Sequence, residues 1–455
     1  MPGLYLFACD RKETIQERVQ LIELLQADHH FRPHVVPIMS PSTKTPSKPG
    51  TSVRVKVEAL PHTYRSGHVI ALITHNALMD ADLSCFSGWE LVVDETPSVF
   101  ETKPMSNALT WTILRDHFEI IPGDAFNAII SKDTDRATTA SFARDTMAQS
   151  VASLHRRVVG EQYHVLTDLH RWADLADEPA WQWSSIWSPA QLRCFDSVTV
   201  LANAFDRSLT YHLFQALHPE SRWRRSERPN TRLFKRRKMT ITYFARGHDA
   251  SRGWFNRDQA KKHLGRIASF IRNEVGSAGH IWTSNDTEAT SLSHMPGQRL
   301  APRQAGSNKY AHIDHVSMIY CAKPNPAEVG VLKALGIDPA AATETRERET
   351  IYQFTGRCSV RDPTSERPIW MWVYSEAQAQ YLEEMYAATD YIDVELRPFD
   401  LGYLDHRHDS KTGRKVLELS DEEIVAQAQR KRDRARERKR ESRLRAKENA
   451  ALRAT

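Results

Sequence analysis

Three features of this sequence predict an α/β architecture with two parallel sheets. The first is a pair of apolar runs, Val69-Ile-Ala-Leu-Ile-Thr-His-Asn-Ala-Leu78 and Trp89-Glu-Leu-Val-Val-Asp-Glu-Thr-Pro97, each closing on polar groups. A buried parallel strand reads as a near-continuous apolar run and delivers polar side chains at its C-terminal edge, where open α/β sheets bind their ligands. The second is an alternation of patterns after residue 238. A strand over 239–244 is followed by a helix over 259–275, with Leu264, Ile267, Phe270 and Ile271 inward, and then by the strand of Ile281-Trp282. The third is a length of 455 residues, ample for two or three domains.

The elements follow in order. Gly3-Leu-Tyr-Leu-Phe-Ala-Cys-Asp-Arg-Lys12 reads as a strand and loop. Residues 13–27 have helical periodicity, with Ile15, Val19, Leu21, Ile22 and Leu25 as the apolar stripe covering that strand. Residues 40–52 form a Pro/Ser/Thr/Lys-rich loop, and Val53-Arg-Val-Lys-Val57 alternates like a strand. Thr74-His75-Asn76 offers small polar groups that either hold phosphate oxygens or cap a helix. Asp94-Glu95 supplies adjacent carboxylates of different reach, one able to hold Mg²⁺ and the other to orient a water. Residues 145–193 read as a helical insertion carrying Trp172, Trp181, Trp183 and Trp187. Those rings either stack on unpaired bases or bury against their own domain.

Residues 221–238 are densely basic, with Arg236 and Arg237 near their end, and form either a phosphate-contacting hinge or a solvated linker. In Glu349-Thr-Ile-Tyr-Gln-Phe-Thr-Gly-Arg-Cys-Ser-Val-Arg-Asp362, a continuous helix would put Gln353, Arg357 and Arg361 on one face, four residues apart. Paired guanidiniums suit a phosphate gaining negative charge. The tail starts on the capping box Ser420-Asp-Glu-Glu423 and becomes nearly pure Arg, Lys, Glu and Ala, a solvated helix or a disordered arm. The net charge is +5, and residues 421–455 account for all of it, with twelve Lys/Arg against seven Asp/Glu. The remainder is neutral, so it would bind nucleic acid only through local patches.

No run is long enough to span a bilayer and the N-terminus has no signal-peptide design, which predicts a cytoplasmic protein. Cys9, Cys85, Cys194, Cys321 and Cys358 are scattered, with no Cys-x-x-Cys pair, which argues for reduced thiols and against zinc.

These residues carry a resemblance. Leu91-Val-Val-Asp-Glu-Thr-Pro97 resembles the Walker B, or DExx, motif of superfamily 2 helicases of the DEAD/DEAH type, and Gln353 to Arg361 resembles their motif VI. The order between them fits. Val198-Thr-Val-Leu-Ala-Asn-Ala-Phe205 sits where motif III belongs, His280-Ile-Trp-Thr-Ser-Asn285 where motif IV opens, and Gly306-Ser-Asn308 before Val316–Cys321 near motif V. The Gly3 strand is similar to motif Ia. The set looks most like helicases of phages and mobile elements.

The resemblance implies two RecA-like domains: residues 1–220 with the insertion at 145–193, then a basic linker at 221–238, a second domain at 239–405 and a charged tail at 406–455. It implies ATP and Mg²⁺ as cofactors, with Asp94 on Mg²⁺ and Gln353 and Gly356 in the nucleotide site. Glu95 would orient water, and Arg357 and Arg361 would stabilise the γ-phosphoryl charge. It places Arg11, Lys12, Thr74, His75, Asn285, Asn308, Arg236 and Arg237 against nucleic acid, DNA first and RNA second, with replication or mobile-element proteins as partners.

Three departures qualify it. The sequence has no Gly-x-x-x-x-Gly-Lys-Ser/Thr, the Walker A loop expected before the Gly3 strand, and Ser47-Lys-Pro-Gly-Thr51 and Lys411-Thr-Gly-Arg-Lys415 lack its spacing. Motif VI is one residue longer than Gly-Arg-x-x-Arg, and Ala202-Asn203-Ala204 replaces Ser-Ala-Thr. The expectation is a helicase core truncated before its phosphate clamp. The alternative is a non-hydrolysing nucleic-acid binder or scaffold derived from one.

Overall fold

The computed structural model describes residues 2–26, 32–40, 52–106, 111–123, 126–132, 138–146, 148–176, 180–226, 232–303 and 309–407. The loop at 41–51, Gly306 with Asn308, and the tail from 408 onward lie outside the described residues.

The chain opens with β1 (Leu4–Cys9), α1 (Lys12–Gln26), β2 (His34–Pro37), α2 (Val53–Glu58), α3 (Leu60–Thr63), β3 (Val69–Thr74), α4 (His75–Asp80) and β4 (Trp89–Asp94). β1 pairs with β3 on one side and β4 on the other, β2 pairs with β3, and every pair is parallel. Leu6, Ala8, Ala71, Ile73, Leu91 and Val93 point from one face into the main core. Cys9 and Leu72 point from the other, against Ile15 of α1.

Two sequence expectations change here. Residues 53–57 alternate like a strand but form α2, because the Ser52 hydroxyl accepts from Val55 N and Arg54 pairs with Glu58 one turn on, at 2.7 Å. The apolar stripe of α1 is split: Ile15 is buried, whereas Leu21 and Leu25 are exposed.

After β4 the chain builds an antiparallel sheet. It comprises β5 (Phe100–Ser106), α5 (Trp111–His117), β6 (Phe118–Ile121), β7 (Asn127–Ser131), α6 (Thr139–Arg144), α7 (Ala152–Val158), β8 (Tyr163–Thr167) and β9 (Ala180–Trp187), in strand order β5-β9-β8-β7-β6. This corrects the helical insertion expected at 145–193. Trp181-Gln-Trp183 has the period of a strand, and aromatic residues suit a pleated, half-buried surface. Trp172, Trp181, Trp183 and Trp187 are each 6% exposed or less, so all four pack rather than present faces to bases.

β10 (Ser197–Leu201) then returns to pair parallel with β4, completing the order β10-β4-β1-β3-β2, and α8 (Leu209–Leu217) packs on the main core.

A second parallel sheet follows: β11 (Arg237–Ala245), α9 (Arg252–Phe255), α10 (Asp258–Val275), β12 (His280–Ser284), β13 (Gln298–Arg299), β14 (His315–Ile319), α11 (Pro326–Ala334), α12 (Ala340–Thr343), α13 (Glu349–Thr355), β15 (Ile369–Ser375), α14 (Glu376–Ala387) and β16 (Ile392–Pro398). Its order is β13-β12-β14-β15-β11-β16. Met239, Ile241, Met371 and Val373 face one core, and Trp282, Trp372 and Tyr374 face the other with Leu264, Ile267 and Ile271 of α10. Phe270, expected inward, lies at the rim and stacks on Phe399 at 3.9 Å.

Residues 1–404 cluster as one unit and 405–455 as another, of which 405–407 are described. No helix among the described residues is long and apolar enough to cross a membrane.

Candidate functional site

Both apolar runs end where expected, at the C-terminal edge of the first sheet. Asp10 follows β1, Thr74 ends β3 with His75 next, Asp94 ends β4 with Glu95 next, and Asn203 follows β10. Asp10, Glu95 and Asn203 line a solvent-open cleft whose opposite wall comes from the second half of the chain, including Glu344, Arg346, Glu349, Gln353 and Tyr381.

Glu95 sits at φ 70°, in the left-handed region that a non-glycine residue adopts at a cost, with its N–H donated to Leu201 O at 3.0 Å. That turn separates the neighbouring carboxylates. Asp94 pairs with Arg18 of α1 at 2.9 Å, and Glu95 faces the cleft.

Burial raises the Glu95 pKa above its ordinary 4.5; the charges of Asp10 and Asp94 add to the rise, and Arg357 and Arg11 oppose it. The folded chain therefore holds this proton more tightly than the unfolded chain. Stability from this group is greatest at low pH and falls as pH rises through the window above 4.5. Glu95→Gln is expected to raise the melting temperature at neutral pH, with the gain fading toward pH 4. Melts of both proteins across pH check this; a constant difference would contradict it.

Arg357 comes from the other half of the chain and is 4% exposed. Its Nε and Nη1 have no hydrogen-bond partner among the described residues. Burial, with Arg361 and Arg11 nearby, lowers its pKa to about 10, while Glu95 and Asp10 pull the other way. Arg357 is thus a desolvated cation with two unpartnered donors, electrostatically linked to Asp10 and Glu95 of the cleft.

The shared helical face expected for Gln353, Arg357 and Arg361 does not form. α13 ends at Thr355, and Gly356 is its C-cap at φ −67° and ψ 1°, where the backbone leaves the helical path. Gln353 stays in the cleft wall, its amide 3.3 Å from Glu349. Arg361 donates to Gly356 O at 2.7 Å and lies in a separate surface depression with Arg232, Phe234, Ala311 and Asp362. Arg357 is among the charges that act most on Glu95, and Arg361 acts on Arg357.

The nucleic-acid residues scatter. Thr74 caps α4 by accepting from Ala77 N, and buried His75 donates from Nε2 to Asp94 O at 3.0 Å. Burial holds the His75 pKa below its ordinary value. Arg11 sits 3.4 Å from Asp10, and Lys12 donates to Ser40 O at 3.2 Å. Asn285 clips the N–H and C=O of Cys321, both at 2.9 Å, joining the ends of β12 and β14. Arg236 is exposed. Arg237 is not available to nucleic acid: it points inward from the first residue of β11 and donates to Ser359 O and Oγ at 2.7 and 2.8 Å. Strand alternation explains the difference between these neighbours.

Several residues were missed. Asp10 obeys the same rule as Asp94-Glu95, an apolar run closing on an acid. Asn203, Glu349, Arg207, Glu344 and Glu384 tie the cleft walls together. Asn203 Nδ2 meets Glu349 at 3.3 Å, Tyr381 OH meets Glu349 at 3.2 Å, and Arg207 pairs with Glu344 and Glu384 at 2.5 and 3.0 Å. Nothing in local sequence marks such long-range pairs.

Among the described residues no group of three His, Cys, Asp or Glu is poised to hold a metal. Comparison with models of known protein families and with curated proteins finds no match.

Proposed function

We propose that the chain is the motor core of an ATP-driven nucleic-acid helicase or translocase of the superfamily 2 type. In this reading its two parallel sheets are the centres of two RecA-like domains, and the antiparallel sheet between β4 and β10 is an insertion in the first. The observation that carries it is Arg357: a buried guanidinium with two unpartnered donors, electrostatically coupled to Glu95 and Asp10 of the cleft. That arrangement suits a polyphosphate between the walls.

The orphaned donors of Arg357 fit an anion such as the phosphates of ATP. Mg²⁺ is usually held by one or two carboxylates together with phosphate oxygens, so Asp94 would hold it, in competition with Arg18. Bound there, Mg²⁺ would neutralise phosphate charge. Glu95, with its raised pKa, would accept a proton from or orient the attacking water. Arg357 would meet charge developing on the transferred phosphoryl group. The Asn203–Glu349 and Arg207–Glu344 contacts would report closure of the cleft to both walls. Exposed Arg222, Arg224, Arg225 and Arg236 would meet a phosphate backbone, of DNA first and RNA second.

Two observations favour a second reading, a non-hydrolysing nucleic-acid binder or scaffold. Asp94 is already neutralised by Arg18, and the sequence has no phosphate-binding Gly-Lys-Ser/Thr loop. ATP turnover with and without single-stranded DNA, beside Glu95→Gln, separates the two. DNA-stimulated turnover lost in Glu95→Gln supports the motor; no turnover with salt-sensitive DNA binding supports the binder.

A further inference from the structure

The peptide unit that joins Asp94 to Glu95 is held at both ends. Its N–H, on Glu95, donates to Leu201 O of β10 at 3.0 Å. Its carbonyl, on Asp94, accepts from His75 Nε2 at 3.0 Å. The two partners come from opposite flanks of β4. β10 is the neighbour on one side, whereas His75 follows β3, which lies beyond β1 on the other. Two strand spacings, about 9–10 Å, separate β3 from β4. The buried imidazole reaches over the end of β1 to cross that gap, and a backbone hydrogen bond with Ala8 of β1 also acts on the ring. The β1–β4 ladder ends at Ala8 and Val93, one residue short of Asp94, and the imidazole takes over as donor there.

The orientation of this peptide plane sets the backbone of the next residue. Turning the plane over changes ψ of Asp94 and φ of Glu95 together and leaves the flanking chain in place. In the observed orientation Glu95 has φ 70°, a region costly for any residue with a Cβ. Turned over, the plane would return Glu95 to negative φ and relieve that strain. The N–H would then leave Leu201, and the turn carrying the carboxylate would no longer be fixed against the cleft. Strained backbone persists only where its surroundings over-determine it. Here one hydrogen bond from each flank of β4 supplies that constraint.

We propose that His75 is a positioning residue for Glu95: its ring pins the Asp94 carbonyl, blocks the peptide flip and so keeps the Glu95 carboxylate in the cleft. The chemistry done by Glu95, though not the pin, rests on the motor reading. The donor is what matters, because a ring of similar size without one fills the space and leaves the carbonyl unheld.

The test uses the full chain. His75→Phe and His75→Leu remove the donor, and His75→Gln returns an N–H on a side chain of similar reach. The first readout is hydrogen exchange at the Glu95 amide, which needs no ATP. Exchange should be roughly tenfold faster in the Phe and Leu variants and close to the parent in the Gln variant, all folded by circular dichroism. The second is ATP turnover with single-stranded DNA. The Phe and Leu variants should lose about 10²-fold in kcat with KM unchanged, and the Gln variant should recover most of it. On a Glu95→Gln background His75→Phe should lower the residual turnover no further, because a positioning residue acts only through the group it positions. Unchanged exchange at Glu95, a loss of the same size on the Glu95→Gln background, or unfolding of both donor-free variants overturns the proposal and leaves His75 a packing residue. Absence of turnover in the parent chain, with fast exchange in the Phe and Leu variants, leaves the pin standing and removes the motor reading.

Discussion

Arg357→Met should lower ATP turnover by about 10³-fold or more, the loss typical of removing an arginine that meets transferring phosphoryl charge. The folded protein should melt at the same temperature or higher. Both halves follow from one observation: Arg357 is buried with two donors unpartnered. Leaving a buried polar group unsatisfied costs about 1–3 kcal/mol, and methionine fills similar space without that cost. Glu95 and Asp10 lose an opposing charge, which tempers the gain. A residue kept for stability would behave the other way. Paired turnover and thermal-melt measurements decide it, and a large fall in melting temperature would assign Arg357 to the scaffold.

Arg237→Ala should do the opposite, destabilising the fold by about 3 kcal/mol, the range for removing one partner of a buried charged network. The substitution strands Ser359 O and Oγ, which now accept at 2.7 and 2.8 Å, and leaves Asp314 to Arg367 alone at 2.8 Å. Arg236→Ala, one residue earlier and exposed, should leave melting unchanged and, on the proposed reading, weaken nucleic-acid binding most at low salt, with a shallower salt dependence. Denaturant unfolding and binding across salt concentrations, run on both variants, check the pair. Equal effects on binding would return Arg237 to the interface.

The parallel strands were legible because burial on both faces writes an apolar run, and the acids closing β1 and β4 mark the ligand edge. The helical period of α10 was legible for the same reason, three of its four inward residues being buried. What failed was local ambiguity settled by distant or single-residue effects. Val53-Arg-Val-Lys-Val57 alternates, but a Ser52 cap and an Arg54–Glu58 pair made it a helix. Trp181 and Trp183 looked like an aromatic helix until their strand found β5 and β8. At the site, Glu95 and Arg357 converge, whereas Gly356 breaks the turn that would have carried Arg361 with them. Asn203 meets Glu349 across 146 residues of sequence, and Arg207 meets Glu344 over a similar span, beyond the reach of any spacing rule.

The antiparallel module has a kinetic consequence. β4 and β10 are neighbours, although the chain travels through residues 95–196 between them. A flexible loop of that length would slow their pairing, because closure entropy precedes the contacts that reward it. But the first and last strands of the module pair with each other, Phe100 against Ile186. Once the module has folded, the span left to close is only residues 95–99 and 188–196. The excursion then behaves as a short crossover connection, which favours folding of the module ahead of the pairing of β10 with β4.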